Sequence, residues 1–136
     1  MVNKVFINLP VKDLKQSIDF FTKLGFSLDK RFTDDNGACI IVSDSISVML
    51  LVDAFFNSFT KKIVNDTKTT SEAIISIAVR SREEVDQLLR KAIDAGGIAT
   101  ISMDYGWMKD LGFTDLDGHH WEILYLDENN IPGNML

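Results

Sequence analysis

INLPVKD, residues 7–13, and ISIAVRS, residues 75–81, align without a gap. Ile7, Leu9 and Val11 meet Ile75, Ile77 and Val79, while Lys12 meets Arg80. Both copies alternate apolar residues with others, the period-two pattern of a strand with one buried face. The segment after each copy decides the fold. After the first, Asp13 is placed to cap a helix and Gln16 to complete a capping box. Leu14, Ile18, Phe21 and Leu24 then form one apolar stripe, which Gly25 ends. After the second, Ser81 and Glu84 repeat the box. Val85, Leu88, Leu89 and Ala92 repeat the stripe, and AGG at 95–97 stops it.

Three strand-like runs come after each helix. In the first half they cover 26–33, 38–43 and 46–52, separated by the turn-forming DDNG and SDS segments. In the second they lie around 98–103, 109–114 and 119–126. The order βαβββ therefore occurs twice, about 68 residues apart, a spacing too long for a solenoid repeat and suited to a duplicated half-domain. The expected fold class is α+β, with two βαβββ modules. Residues 1–136 read as a single domain: module one at about 3–53, a connector at 54–72, module two at 73–127 and a tail at 128–136. Within the connector, DAFFNSFTKK has the composition of a short helix, and Phe55, Phe56 and Phe59 read as one face of it in preference to a lid.

Composition narrows the function classes. A chain of 136 residues with 46% hydrophobic content can bury one real core but not two ordinary ones. The formal net charge of −6, with no run of Lys and Arg, argues against nucleic acid and anionic membranes as partners. The opening MVNKVFINLPV is too short in its apolar run for a signal segment, and no apolar stretch reaches a membrane-spanning length. The lone Cys39, in ACIIV, cannot form an intrachain disulfide and reads as a small core residue. A cytoplasmic location is expected.

The chemistry-bearing segment is DLDGHHWEILYL, residues 115–126. On a strand, His120, Glu122 and Leu124 share one face, while His119, Trp121 and Ile123 share the other. Imidazole and carboxylate are common ligands of divalent ions, but two do not hold a metal. Glu122 in apolar surroundings has the makings of a general base, or else reads as a structural residue paired with a nearby cation or hydrogen-bond donors. His120 reads as a proton carrier or second ligand, or as a polar residue where the strand begins. Asp115 and Asp117 flank a D-x-D-G turn, which Asx-turn chemistry before Gly118 explains without calcium. Tyr105, Trp107, Met108 and Phe113 form an aromatic cluster, read either as the lining of a ligand cleft or as packing at a sheet edge.

With these features in hand, the sequence resembles the vicinal oxygen chelate superfamily, which groups glyoxalase I, extradiol dioxygenases, fosfomycin-resistance proteins and bleomycin-resistance proteins. LPVKDLKQSIDFFTKLGF (9–26) is similar to the opening strand–helix segment of that family. FTDLDGHHWEI (113–123) is similar to its closing segment, with Leu116 where proline is commoner. The resemblance implies that the two βαβββ modules form a curved mixed sheet around a cleft lined by both modules, and that the protein is a homodimer. In the members that use a metal, His, Glu or Gln ligands come from the first and last strands of each module. Carried over position by position, those places fall on Phe6, Ile74, a residue of SVMLLV best assigned to Leu50, and Glu122. Only Glu122 is of ligand type. The ligand cleft is then expected to include Phe6, Asn8, Leu50, Ile74, Ser76, Tyr105, Trp107, Phe113, His120 and Leu124. Glu122 is the one catalytic candidate, and no metal or other cofactor is expected. The resulting expectation is a glyoxalase/bleomycin-resistance-like protein binding a small molecule without the usual metal. The alternative is a metal-dependent lyase of glyoxalase type, or a dioxygenase-like relative, using Zn, Ni, Mn or Fe with Glu122 in an atypical or partner-completed site.

Overall fold

In the computed structural model, which describes residues 1–134, the repeat of the sequence is a repeat of structure. Chain contacts divide the molecule into a unit ending at Asp66 and a second beginning at Thr67. The break falls inside the expected connector. The tail expected at 128–136 ends in residues 135–136, which lie outside the described residues.

The first unit runs β1 (Val5–Val11), α1 (Leu14–Lys23), β2 (Ser27–Asp29), β3 (Gly37–Ser43), β4 (Ile46–Val52) and the short α2 (Asp53–Asn57). Its four strands form one mixed sheet in the order β1-β4-β3-β2, with β1 parallel to β4. α1 starts where the cap predicts, with Asp13 accepting a bond from the Gln16 amide at 3.1 Å. It ends at Gly25, whose φ of 101° is the left-handed conformation that favours glycine at this place. β2 is shorter than the expected run to residue 33. The Asp29 carboxylate accepts bonds from the Arg31 amide and guanidinium, which turns residues 30–32 into a single 3₁₀ turn.

The core of this unit lies where α1 covers the sheet. Leu9, Val11, Ala38, Ile40, Val48 and Leu50 are buried, as are Phe20, Phe21 and Leu24, and α1 packs on β3 and β4. Phe20 meets Phe21 edge to face with centroids 5.0 Å apart. Cys39 is buried, as its apolar setting predicts.

The second unit runs β5 (Ile74–Ala78), α3 (Arg82–Asp94), β6 (Ile98–Asp104), β7 (Met108–Thr114) and β8 (His120–Leu126). Its sheet has the matching order β5-β8-β7-β6, with β5 parallel to β8. The capping box forms: Ser81 Oγ accepts the Glu84 amide at 3.2 Å, and the Glu84 carboxylate accepts the Arg80 amide at 2.9 Å. Val85 and Ala92 of α3 are buried, as are Leu111, Phe113, Trp121 and Ile123 on one face of β7 and β8. Phe113 and Trp121 are cross-strand partners, stacked with centroids 6.2 Å apart.

The DLDG turn before β8 is built around Asp115. Its buried carboxylate accepts bonds from the amides of Asp117 and His119 and from the Trp121 indole, all at 3.0 Å. Burial raises the Asp115 pKa, and these donors together with His119 oppose the rise. Residues of the connector close over the turn. Thr67 donates to the Asp117 carbonyl at 2.5 Å and Lys68 to the Leu116 carbonyl at 2.7 Å. Gly118, at φ 88°, has no room for a side chain, because a Cβ there would collide with the Thr67 carbonyl. Asp115, Asp117 and His119 thus serve the turn, as the Asx reading of this segment holds. No described helix is long and apolar enough to cross a membrane.

Candidate functional site

The paired registers place each expected site residue on a face. In the first sheet, Phe6 pairs with Ser47, Asn8 with Met49 and Leu9 with Leu50. In the second, Ile74 pairs with His120, Ser76 with Glu122 and Ala78 with Leu124. Because cross-strand partners point the same way, Phe6, Asn8 and Met49 share one face, and Leu50 lies on the opposite one. Leu50 is fully buried beside Leu9, so its assignment to the cleft is corrected. Since Asn8 corresponds to Ser76 in the repeat, the residue matching Glu122 is Met49. The sequence alone left the register of SVMLLV open by one residue, and one residue reverses the face.

Phe113 is corrected likewise. It is wholly buried against Trp121, on the face of the second sheet away from Glu122. Tyr105 and Trp107 stack on each other, 6.3 Å between centroids, at the hairpin joining β6 and β7. Arg82 braces this hairpin by donating to the Gly106 carbonyl and the Asp104 carboxylate. The amide of Gly106 and Arg82 hold the Asp104 pKa below its usual value. The hairpin is connected to the face carrying Glu122 through the Tyr105 hydroxyl, which donates to Met103 Sδ at 3.4 Å. Met103 is the cross-strand partner of Asp110.

On the remaining face of the second sheet the structure brings together Ile74, Ser76, His120, Glu122 and Leu124. Ser76 Oγ donates to Glu122 Oε1 at 3.3 Å, and His120 Nε2 lies 4.0 Å from Glu122 Oε2. Both side chains are mostly shielded, 22% exposed for His120 and 14% for Glu122. Thr100 Oγ1 lies 3.3 Å from His120 Nε2. Thr100 sits where the β6–β7 register shifts, and a Cβ at Gly112 would collide with its hydroxyl. Glycine opposite Glu122 therefore makes the room in which Thr100 meets His120.

Asp110 also belongs to this face and was missed as a site residue. It pairs with Leu124, and Glu122 pairs with Gly112, so the two carboxyl groups are diagonal neighbours across β7 and β8. Asp110 is 3% exposed, and its Oδ1 is buried with no hydrogen-bond partner. Burial, a hydrogen bond with Glu122 and the charge of Glu122 push its pKa up to about 7. A signal was present: aspartate is depleted in strand interiors, and here it interrupts the strand-like run MKDLGF.

The family model for Glyoxalase/Bleomycin resistance protein/Dioxygenase superfamily matches residues 5–123. The chain belongs to this superfamily. Among solved structures, a hypothetical protein from S. aureus is 30% identical, with TM-score 0.77, covering 92% of this chain and 94% of that one. A glyoxalase-related enzyme from Fulvimarina pelagi is 19% identical, with TM-score 0.76 and coverage of 89% and 86%. The fosfomycin resistance protein FosX from Listeria monocytogenes is 18% identical, with TM-score 0.63 and coverage of 89% and 90%. The last two likenesses concern the fold alone. No curated protein matches the sequence.

For a glyoxalase-superfamily chain, the question of a divalent metal turns on donors. Phe6 and Ile74 carry no side-chain atom that binds a metal, and Met49 offers only a soft thioether. Glu122 is the one hard donor at the four repeated positions. Among the described residues, no three His, Cys, Asp or Glu side chains form a group suited to a metal ion. The residues at these positions do not fit the superfamily's metal.

Proposed function

We propose that this superfamily member binds a small molecule on the polar face of its second sheet, with Glu122 as the central hydrogen-bond acceptor and without a catalytic metal. The observation that carries the reading is the grouping of Ser76, Thr100, Asp110, His120 and Glu122 on one strand face, on which Ile74 and Leu124 supply apolar surface. Polar groups converging within an apolar surround are what orient a ligand. The protein works as a binding module in the cytoplasm, as a homodimer, with neither nucleic acid nor membrane as partner. His120, held by Thr100 on one side and near Glu122 on the other, positions the acceptor. Chemistry of this group, where it occurs, is proton transfer by Glu122.

The test is a ligand-observed NMR screen of a small-fragment library against metal-stripped wild type and Glu122→Gln. Fragments that bind wild type and are lost in the variant are expected. A hit list unchanged by the substitution would overturn the reading. A second reading, a metal-dependent lyase of glyoxalase type, is favoured by the presence of Glu122 at its superfamily position with His120 beside it. Stoichiometric Zn or Ni in the purified protein, together with turnover of the methylglyoxal–glutathione adduct, would establish that reading instead.

A further inference from the structure

We propose that Asp110 completes the binding site, and that Asp110 and Glu122 together form a two-carboxylate recess for a ligand bearing a fork of cationic N–H donors, an amidinium or guanidinium. The inference rests on the reading of this face as a small-molecule site and names the ligand class.

Three observations lead to it. First, Asp110 Oδ1 is a buried acceptor with no donor, on a side chain only 3% exposed. Buried carboxylate oxygens are rarely left so, and a ligand N–H would meet this one. Second, its diagonal neighbour Glu122 accepts a 3.3 Å bond from Ser76 and shares one with Asp110, which still leaves lone pairs on its two oxygens for further donors. Third, among the described residues, no basic side chain of the second unit's strands shares this face to neutralise the pair. Lys109 of β7 projects to the other face, where it binds Asp86 of α3 at 2.8 and 2.9 Å. Asp104, the partner of Lys109 in register, is held by Arg82 of α3. β5 and β6 contribute neutral residues, among them Ile74, Ser76, Thr100 and Met103, and β8 contributes His120 besides Glu122.

Two carboxylates can hydrogen-bond to each other only when one holds a proton, so the free site at low pH carries a proton where the ligand's cation would sit. The elevated pKa of Asp110, from its burial first and then from Glu122, agrees with this. Binding a cationic fork then displaces that proton, and affinity rises as pH rises through about 7. Planar N–H forks match carboxylate geometry and form charge-assisted bonds, whereas a neutral amide of the same shape cannot compensate two negative charges.

The experiment is isothermal titration of metal-stripped protein with benzamidine and with its neutral counterpart benzamide, at pH 6 and pH 8. Expected are a preference for benzamidine of about tenfold or more, tighter benzamidine binding at pH 8, and heats that vary with buffer ionisation because a proton leaves. Asp110→Asn, which keeps shape and removes the titrating proton, should reduce the preference several-fold and abolish the buffer dependence while the variant retains the wild-type circular dichroism. Equal affinities for the two probes, no benzamidine binding, or a pH-independent affinity unchanged in Asp110→Asn would each overturn the inference. If the preference fails while fragment hits still require Glu122, the inference alone falls. If no fragment requires Glu122, the reading of the site falls as well.

Discussion

Replacing Asp110 by asparagine should change how stability depends on pH, with a sign and a slope set by the structure. Asp110 is 3% exposed, and its pKa is about 7 in the folded protein against an ordinary value of 3.8. A carboxyl raised in the folded state contributes stability that is fully present below the unfolded pKa. That contribution is lost as pH rises through the folded pKa, because ionising the group costs more folded than unfolded. Between pH 4 and 7 the wild type should therefore lose roughly 3 kcal/mol through this carboxyl and its coupling to Glu122. Asparagine keeps the shape, can donate to Glu122 and does not titrate. Urea unfolding of both proteins from pH 4.5 to 8 reads the difference directly. The stability of Asp110→Asn relative to wild type should climb by about 2–3 kcal/mol from pH 4.5 to 6.5 and level off above 7. Asp115, whose pKa is also raised, is common to both proteins and cancels. A difference that stays flat from pH 5 to 8 would mean that Asp110 ionises like a surface carboxylate, and the account of its burial against Glu122 would be refuted.

Other substitutions separate framework from site. Gly118→Ala forces a side chain into the Thr67 carbonyl at a left-handed φ, and should cost about 2–4 kcal/mol in urea unfolding. Asp115→Ala removes the acceptor for two amides and the Trp121 indole, and should cost about 3 kcal/mol or more, with a changed near-ultraviolet dichroism of Trp121. Phe113→Ala, emptying space beside Trp121 in the core, should cost about 3–5 kcal/mol. A Phe113→Ala protein of wild-type stability with altered ligand binding would restore that residue to the site.

The fold was legible because both levels of pattern agreed. The alternation in INLPVKD and ISIAVRS, the two caps and the two stop signals each predict the same element order, and Asp13, Gly25, Ser81 and Glu84 do what their chemistry predicts. The site was legible only in part. His120, Glu122 and Ser76 could be placed together because alternation within β8 and the repeat of β5 fix their face. Leu50 could not, because an apolar run such as SVMLLV does not reveal which of its two faces is buried when both carry hydrophobic residues. Phe113 was grouped with Tyr105 and Trp107 by chemical type, whereas the strand register, known only from pairing, turns it to the core. Asp110 was overlooked for a related reason. Its importance comes from lying diagonal to Glu122, a relation made by β7–β8 pairing and not by proximity in the sequence.

The most direct test of the central claim is chemical-shift mapping on metal-stripped ¹⁵N-labelled protein, titrated in EDTA with a fragment from the screen. Perturbations should centre on Ser76, Thr100, Asp110, His120 and Glu122 and vanish in Glu122→Gln. Perturbations centred elsewhere, or appearing at this face only after Zn or Ni is added, would contradict that claim.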